Sequence, residues 1–153
     1  MATDIPLPPQ DARVRLHVYE QFLAHGRPPA AAEAARALSV TAAEVEAAYR
    51  RLAEGRALVL RAGSCEILMA MPLSAVPTRF QVEVGGRLYW ANCMWDALGL
   101  PVMLGRDARI STRCGDCGEP LLVTVERNAV AGGSGWMHVA LPASQWWADV
   151  EFT

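Results

Sequence analysis

Apolar residues recur at every fourth position after Asp11: Val14, Val18 and Phe22, flanked by Tyr19 and Leu23, with Gly26 behind them. That period lines one face of a helix and the glycine is a stop signal, so the pattern predicts a helix starting at Asp11. An Ala-rich stretch over 30–38 fits a second helix. Thr41-Ala42-Ala43-Glu44 is a capping box, in which hydroxyl and carboxylate satisfy orphan backbone donors. A third helix follows, with Val45, Ala48, Tyr49 and Leu52 on one face and Gly55 as its end. The period then changes. Ala57–Leu60 and Glu66–Ala70 read as short strands around Ala62-Gly63-Ser64. Three helices and a hairpin make a winged-helix-like domain over residues 1–71, with the Pro-rich residues 1–10 as a loose arm.

Pro72 to Pro77 forms the natural boundary, and residues 72–153 read as a second, strand-rich domain. Phe80, Val82 and Val84 alternate, Gly85-Gly86 turns, and Leu88–Trp90 returns, which is a hairpin signal. A short helix fits Cys93–Leu98. Arg109–Thr112, Leu121–Val125, Met137–Leu141 and Asp149–Phe152 are further strand candidates, and Gly132-Gly133-Ser134-Gly135 reads as a flexible loop.

Bulk properties narrow the function classes. The 153 residues carry a net charge of −2 and are 52% apolar, enough for one ordinary domain or two small ones. No apolar run reaches the ~20 residues of a membrane-spanning helix. The N-terminus has neither the basic nor the apolar region of a secretory signal, so the expected compartment is the cytoplasm. There the four cysteines stay reduced, as thiols or metal ligands. Every basic residue is Arg. The mild acidity gives no general pull toward nucleic acid or membrane. The third helix sets Glu44, Glu46 and Glu54 against Arg50 and Arg51, a poor balance for reading DNA. The expected partner is a small molecule or metal; the number of subunits stays open.

The chemistry concentrates in Asn92-Cys93-Met94-Trp95-Asp96. Residues three apart share a helix face, so the Cys93 thiol and the Asp96 carboxylate converge. A thiolate binds soft metals and a carboxylate can carry a proton. Cys93 falls near a helix N-terminus, which predicts a lowered thiol pKa. The bland alternatives are a buried structural Cys and a carboxylate that caps the helix or pairs with an arginine such as Arg106. Cys114-Gly115-Asp116-Cys117-Gly118 looks like half a zinc knuckle, but a structural zinc site needs four ligands and there is no second such pair. Cys65 reads as core, and His17, His25 and His138 as isolated structural residues. Five tryptophans are many for this length: either core residues at a domain junction, or, with Trp95 and Trp147, the wall of an apolar pocket around Cys93.

Tyr89 to Ala108 resembles the core segment of the organomercurial (alkylmercury) lyases, with Cys93-x-x-Asp96, Pro101 and Leu104-Gly105-Arg106 in that family's order and spacing. Cys114 with Gly118-Glu119-Pro120, and the segment Met71–Thr78, resemble further family segments. The resemblance implies an α+β fold: a winged-helix-like three-helix domain followed by a mixed-sheet catalytic domain. It also implies protonolysis of a carbon–mercury bond, with Cys93 as metal-binding thiolate and Asp96 as proton shuttle and possible metal contact. Mercury is then substrate and product, and no resident cofactor is expected. Cys114 takes a buried structural role. One departure stands out. The family's second mercury-binding cysteine lies near the C-terminus, where this chain has Trp146-Trp147-Ala148-Asp149. Trp147 or Ala148 occupies the thiol's place, and Cys117 is the candidate replacement ligand. The rival expectation is a lyase-fold protein that has lost the reaction and binds a metal or small ligand, or acts on another substrate. A winged-helix regulator ranks below both.

Overall fold

The computed structural model describes residues 7–139 and 141–148. The three N-terminal helices form where the apolar period places them: α1 over Pro9–His25, α2 over Ala31–Leu38 and α3 over Ala42–Glu54. α1 stops at Gly26, whose φ of 72° closes the helix in the left-handed region that glycine adopts without a Cβ clash. α3 starts at the Thr41–Glu44 box, with Glu44 accepting from the Thr41 backbone N–H at 2.8 Å. Val14, Val18 and Phe22 meet Val45, Ala48, Tyr49 and Leu52 in one core.

That core holds one charged side chain. Asp11 is fully buried and takes a two-pronged hydrogen bond from Arg51 of α3, at 2.7 and 2.6 Å. An unpaired charge there would be costly, so the arginine is what makes the carboxylate tolerable.

β1 (Leu58–Leu60) and β2 (Ile67–Ala70) form a hairpin after α3. The chain then stays in the same sheet. β3 (Leu73–Ser74) pairs with β2 and with β5 (Arg87–Ala91), which returns from β4 (Phe80–Val84). The turn between β4 and β5 is Gly85-Gly86, with φ of 57° and 76°, and a Cβ on Gly85 would stand 2.9 Å from Arg106 Nη1. β6 (Ala108–Arg113), β7 (Pro120–Glu126) and β8 (Ala129–Gly132) complete an eight-stranded sheet in the order β1-β2-β3-β5-β4-β6-β7-β8. α4 (Met94–Leu104) lies against β4, β5 and β6.

The structure revises several sequence expectations. Every strand pairing is antiparallel, so the sheet is not mixed among the described residues. β2 and β3, which flank residues 71 and 72, are hydrogen-bonded neighbours in that sheet. α4 runs past Leu98 and through Pro101, because Leu100 and Pro101 are both buried under the sheet and packing outweighs the lost hydrogen bond. β8 is a strand that the sequence reading did not anticipate, and of the expected loop 132–135 only Gly132 belongs to it. Its hairpin turn is Arg127-Asn128, with φ of 50° and 61°, a left-handed pair without glycine. The turn is held by the Arg127 N–H, which donates to Asp107 Oδ1 at 2.8 Å. Residues 137–139 and 141 form no strand. Met137, Val139 and Leu141 alternate in sequence but are exposed, and alternation without a partner strand and a core face does not make a strand. The candidate strand Asp149–Phe152 lies outside the described residues.

Candidate active site

Cys93 and Asp96 meet at the start of α4. β5 ends at Ala91, whose side chain is in the core and which pairs with Leu73 and Phe80. Asn92 leaves the strand, and Cys93, in extended conformation, becomes the residue that caps α4. Its sulfur takes the place that a serine oxygen holds in ordinary helix caps, accepting the Asp96 backbone N–H at 3.5 Å. The thiol in turn reaches Asp96 Oδ2 at 3.6 Å. One helical turn therefore folds the carboxylate back onto the thiol.

Both groups are partly buried, and burial governs both. It pushes the Asp96 carboxyl above its ordinary range, and hydrogen bonds from Asn92 and Cys93 offset the rise only in part. Burial also pushes the Cys93 thiol up; the Asp96 N–H lowers it, the neighbouring carboxylate raises it again, and the Trp95 N–H lowers it. The sequence expectation of a lowered Cys93 pKa is thus corrected: the helix N-terminus acts in the expected direction, but desolvation and the adjacent carboxylate outweigh it. Among the described residues no arginine pairs with Asp96. Arg106 instead approaches the β4–β5 turn.

Asn92 is a site residue that sequence reasoning passed over. Its Nδ2 donates to Pro72 O at 3.4 Å and contacts Met71 Sδ at 3.6 Å, while its buried Oδ1 has no partner. The amide thus ties the thiol–carboxylate turn to the β2–β3 junction. Its position directly before Cys93 was the available signal, but contacts across 20 residues were not readable.

The tryptophans divide. Trp95 is 58% exposed and meets Trp146 edge-on, with ring centroids 6.2 Å apart. Trp146 is delivered by a single 3₁₀ turn over Ala143–Gln145 and anchored by its Nε1–H to Leu141 O at 2.7 Å. Trp147 faces elsewhere, with Arg56 5.3 Å above its ring. So the C-terminal segment reaches the first turn of α4, and the side chain meeting Trp95 is Trp146 and not Trp147.

Cys114 and Cys117 lie in the turn between β6 and β7. Cys117 is exposed and Cys114 intermediate, so the buried role expected for Cys114 does not hold. Among the described residues no three His, Cys, Asp or Glu side chains gather as a metal-holding group, so Cys117 does not join Cys93 and Asp96 in one. Cys65 packs against the core.

Comparisons with known proteins identify the family. The alkylmercury lyase family model matches residues 73–153, more than half of the chain. An alkylmercury lyase of Pseudomonas putida is 33% identical over 63 residues, 41% of this chain and 30% of that protein. One of Staphylococcus epidermidis is 36% identical over 58 residues, 38% of this chain and 27% of that protein. These matches span under a third of the relatives' own length. A crystal structure of the mercury-bound form of MerB2 superposes with a TM-score of 0.65 and 27% identity, over 84% of this chain and 61% of that one. The thiol–carboxylate turn lies within the matched region, and the chain belongs to the alkylmercury lyase family.

Proposed function

We propose that the chain is an organomercurial lyase-like enzyme that cleaves carbon–mercury bonds by protonolysis at Cys93 and Asp96. The observation that carries the reading is the 3.6 Å approach of the Cys93 thiol to the Asp96 carboxyl, which has no arginine partner among the described residues. Burial raises the pKa of both groups, and at this separation a proton can pass directly from sulfur to carboxylate. When an organomercury cation, R–Hg⁺, binds Cys93, the S–H bond breaks, the sulfur–mercury bond forms, and the thiol proton moves to Asp96. Asp96, neutral and partly desolvated, then donates that proton to the carbon bound to mercury. The carbon–mercury bond breaks, the hydrocarbon R–H leaves, and Hg²⁺ stays on sulfur. Charge and atoms balance without a resident cofactor; mercury enters as substrate and leaves as product.

The apolar group R would lie against the edge-on pair of Trp95 and Trp146 at the surface beside the first turn of α4. The N-terminal helices and the β1–β2 hairpin serve as a winged-helix-like scaffold that buttresses the sheet, with no role in DNA recognition. A reducing cytoplasm suits the reaction, since it needs a free thiol.

A second reading rests on the C-terminal segment. Family alignment puts Trp147 or Ala148 where a second mercury-binding thiol belongs. A protein with one thiolate at the site would bind the substrate more weakly and would need an external thiol, or would have turned to another ligand. The test is direct. Purified, reduced chain is incubated with phenylmercury and excess monothiol, and benzene is measured by gas chromatography. Catalytic benzene formation supports the lyase; mercury binding without benzene selects the second reading.

A further inference from the structure

We propose that the Cys114–Cys117 turn is a separate, surface-exposed two-thiolate site for a soft, linearly coordinated cation, Hg²⁺ above all. The turn is built rather than merely permitted by its sequence. The Cys114 N–H donates to Glu119 O at 2.8 Å, and the Gly118 N–H returns to Cys114 O at 3.1 Å, closing the loop across β6 and β7. Gly118, with a φ of 74°, supplies the left-handed residue this closure needs. Backbone N–H groups of Cys117 and Asp116, and the Cys117 side chain, all bond toward the Cys114 sulfur. Both sulfurs therefore lie within hydrogen-bond reach of each other on a tight turn, with N–H donors already aimed at one of them. Arg113 crosses the turn to Gly118 O at 3.1 Å, and Arg79 Nη1 stands 3.9 Å from where a Gly115 Cβ would be, so two arginines reach the turn that also carries Asp116 and Glu119.

The choice of cation follows from donor number. A tetrahedral zinc site needs four ligands, and no third His, Cys, Asp or Glu joins the pair among the described residues. Two thiolates with no further donor suit a soft d¹⁰ ion that is content with linear coordination. Binding exchanges two S–H bonds for two S–Hg bonds and releases two protons to solvent. No carbon–mercury cleavage is required, so this site stands or falls independently of the proposed lyase reaction.

The test uses the full chain carrying Cys65→Ser and Cys93→Ser, which leaves only Cys114 and Cys117, with Hg²⁺ alone as the probe. One Hg²⁺ should bind per monomeric chain, with both thiols lost to titration and a sulfur-to-mercury charge-transfer band in the ultraviolet. Adding Cys117→Ser should lower resistance to glutathione by on the order of 10²–10⁴-fold, the gain from holding two donors together. Equal resistance with and without Cys117, Hg²⁺ bridging two chains in light scattering, or tight Zn²⁺ binding in place of Hg²⁺ would each overturn the proposal. Circular dichroism checks the fold of each variant. If the double substitution does not fold, Cys117→Ser in the otherwise unaltered chain should remove one bound Hg²⁺, and an unchanged stoichiometry rejects the site.

Discussion

Asp11 and Asp96 are both carboxylates withdrawn from water, and the fold treats them in opposite ways. Asp11 sits among the N-terminal helices, fully buried, gripped at two oxygens by Arg51. Asp96 sits on the first turn of α4, partly buried, with a thiol and an amide for neighbours and, among the described residues, no arginine. The first arrangement locks a charge and spends the carboxylate on structure. The second leaves a carboxyl whose charged form burial penalises, with a sulfur 3.6 Å away. A buried aspartate is therefore no functional signal by itself; what faces it decides.

That contrast can be broken at several points, the most severe first. Cys93→Ser should abolish hydrocarbon release from an organomercurial, because a hydroxyl is a hard and mostly protonated ligand. Single-turnover benzene formation at the parental rate would remove Cys93 from the reaction. Asp96→Asn should keep mercury binding and slow carbon–mercury cleavage by roughly 10²–10⁴-fold, the usual contribution of a proton-transfer group. Rates equal within error would make Asp96 as structural as Asp11.

Arg51→Ala should act on the other half of the comparison. It strands a buried charge, and should destabilise the fold by about 3 kcal/mol, the low end for a broken buried pair, since Arg51 itself is 48% exposed. Urea unfolding measures this, and parental stability would show that Asp11 does not depend on its partner. The rate per folded molecule should be unchanged.

Asp96→Asn offers a stability test of opposite sign. The folded state raises the Asp96 pKa through burial. Its neutral form is thus favoured in the folded chain at low pH, and that advantage is lost as pH rises through the folded value. Asparagine stays neutral, so the substitution should raise the melting temperature more at pH 8 than at pH 4. A pH-independent difference would mean that burial does not penalise the charge. The smallest effect is expected from Trp146→Ala, which removes one edge-on aromatic contact worth about 0.5–1.5 kcal/mol. It should raise KM for phenylmercury more than it lowers kcat; an unchanged KM would detach the aromatic pair from substrate binding.

Some of this was legible before any coordinates. The meeting of Cys93 with Asp96 was legible from their spacing, although Cys93 reaches Asp96 as the extended cap of α4 and not from within the helix, and the Thr41 capping box and the Gly85-Gly86 turn follow from local chemistry. What failed were inferences that depend on distant neighbours. Pro101 reads as a helix breaker until the sheet beneath it is known. Met137–Leu141 reads as a strand although, among the described residues, no strand pairs with it. Arg127-Asn128 hides a hairpin because neither residue is glycine. The Cys93 pKa expectation counted the helix terminus and missed burial.

The sequence by itself determined the three N-terminal helices, the central hairpin, the family and the pairing of one thiol with one carboxylate, because each rests on residues a few positions apart. Only the tertiary structure decided that β2 and β3 join both halves in one antiparallel sheet, that Asn92 ties the site to Pro72, and that Trp146 meets Trp95 while Trp147 meets Arg56. It also decided that Asp11 has a cation and Asp96 has none. Desolvation and partner choice are set by residues brought together across tens of positions, and no local period in the chain encodes them.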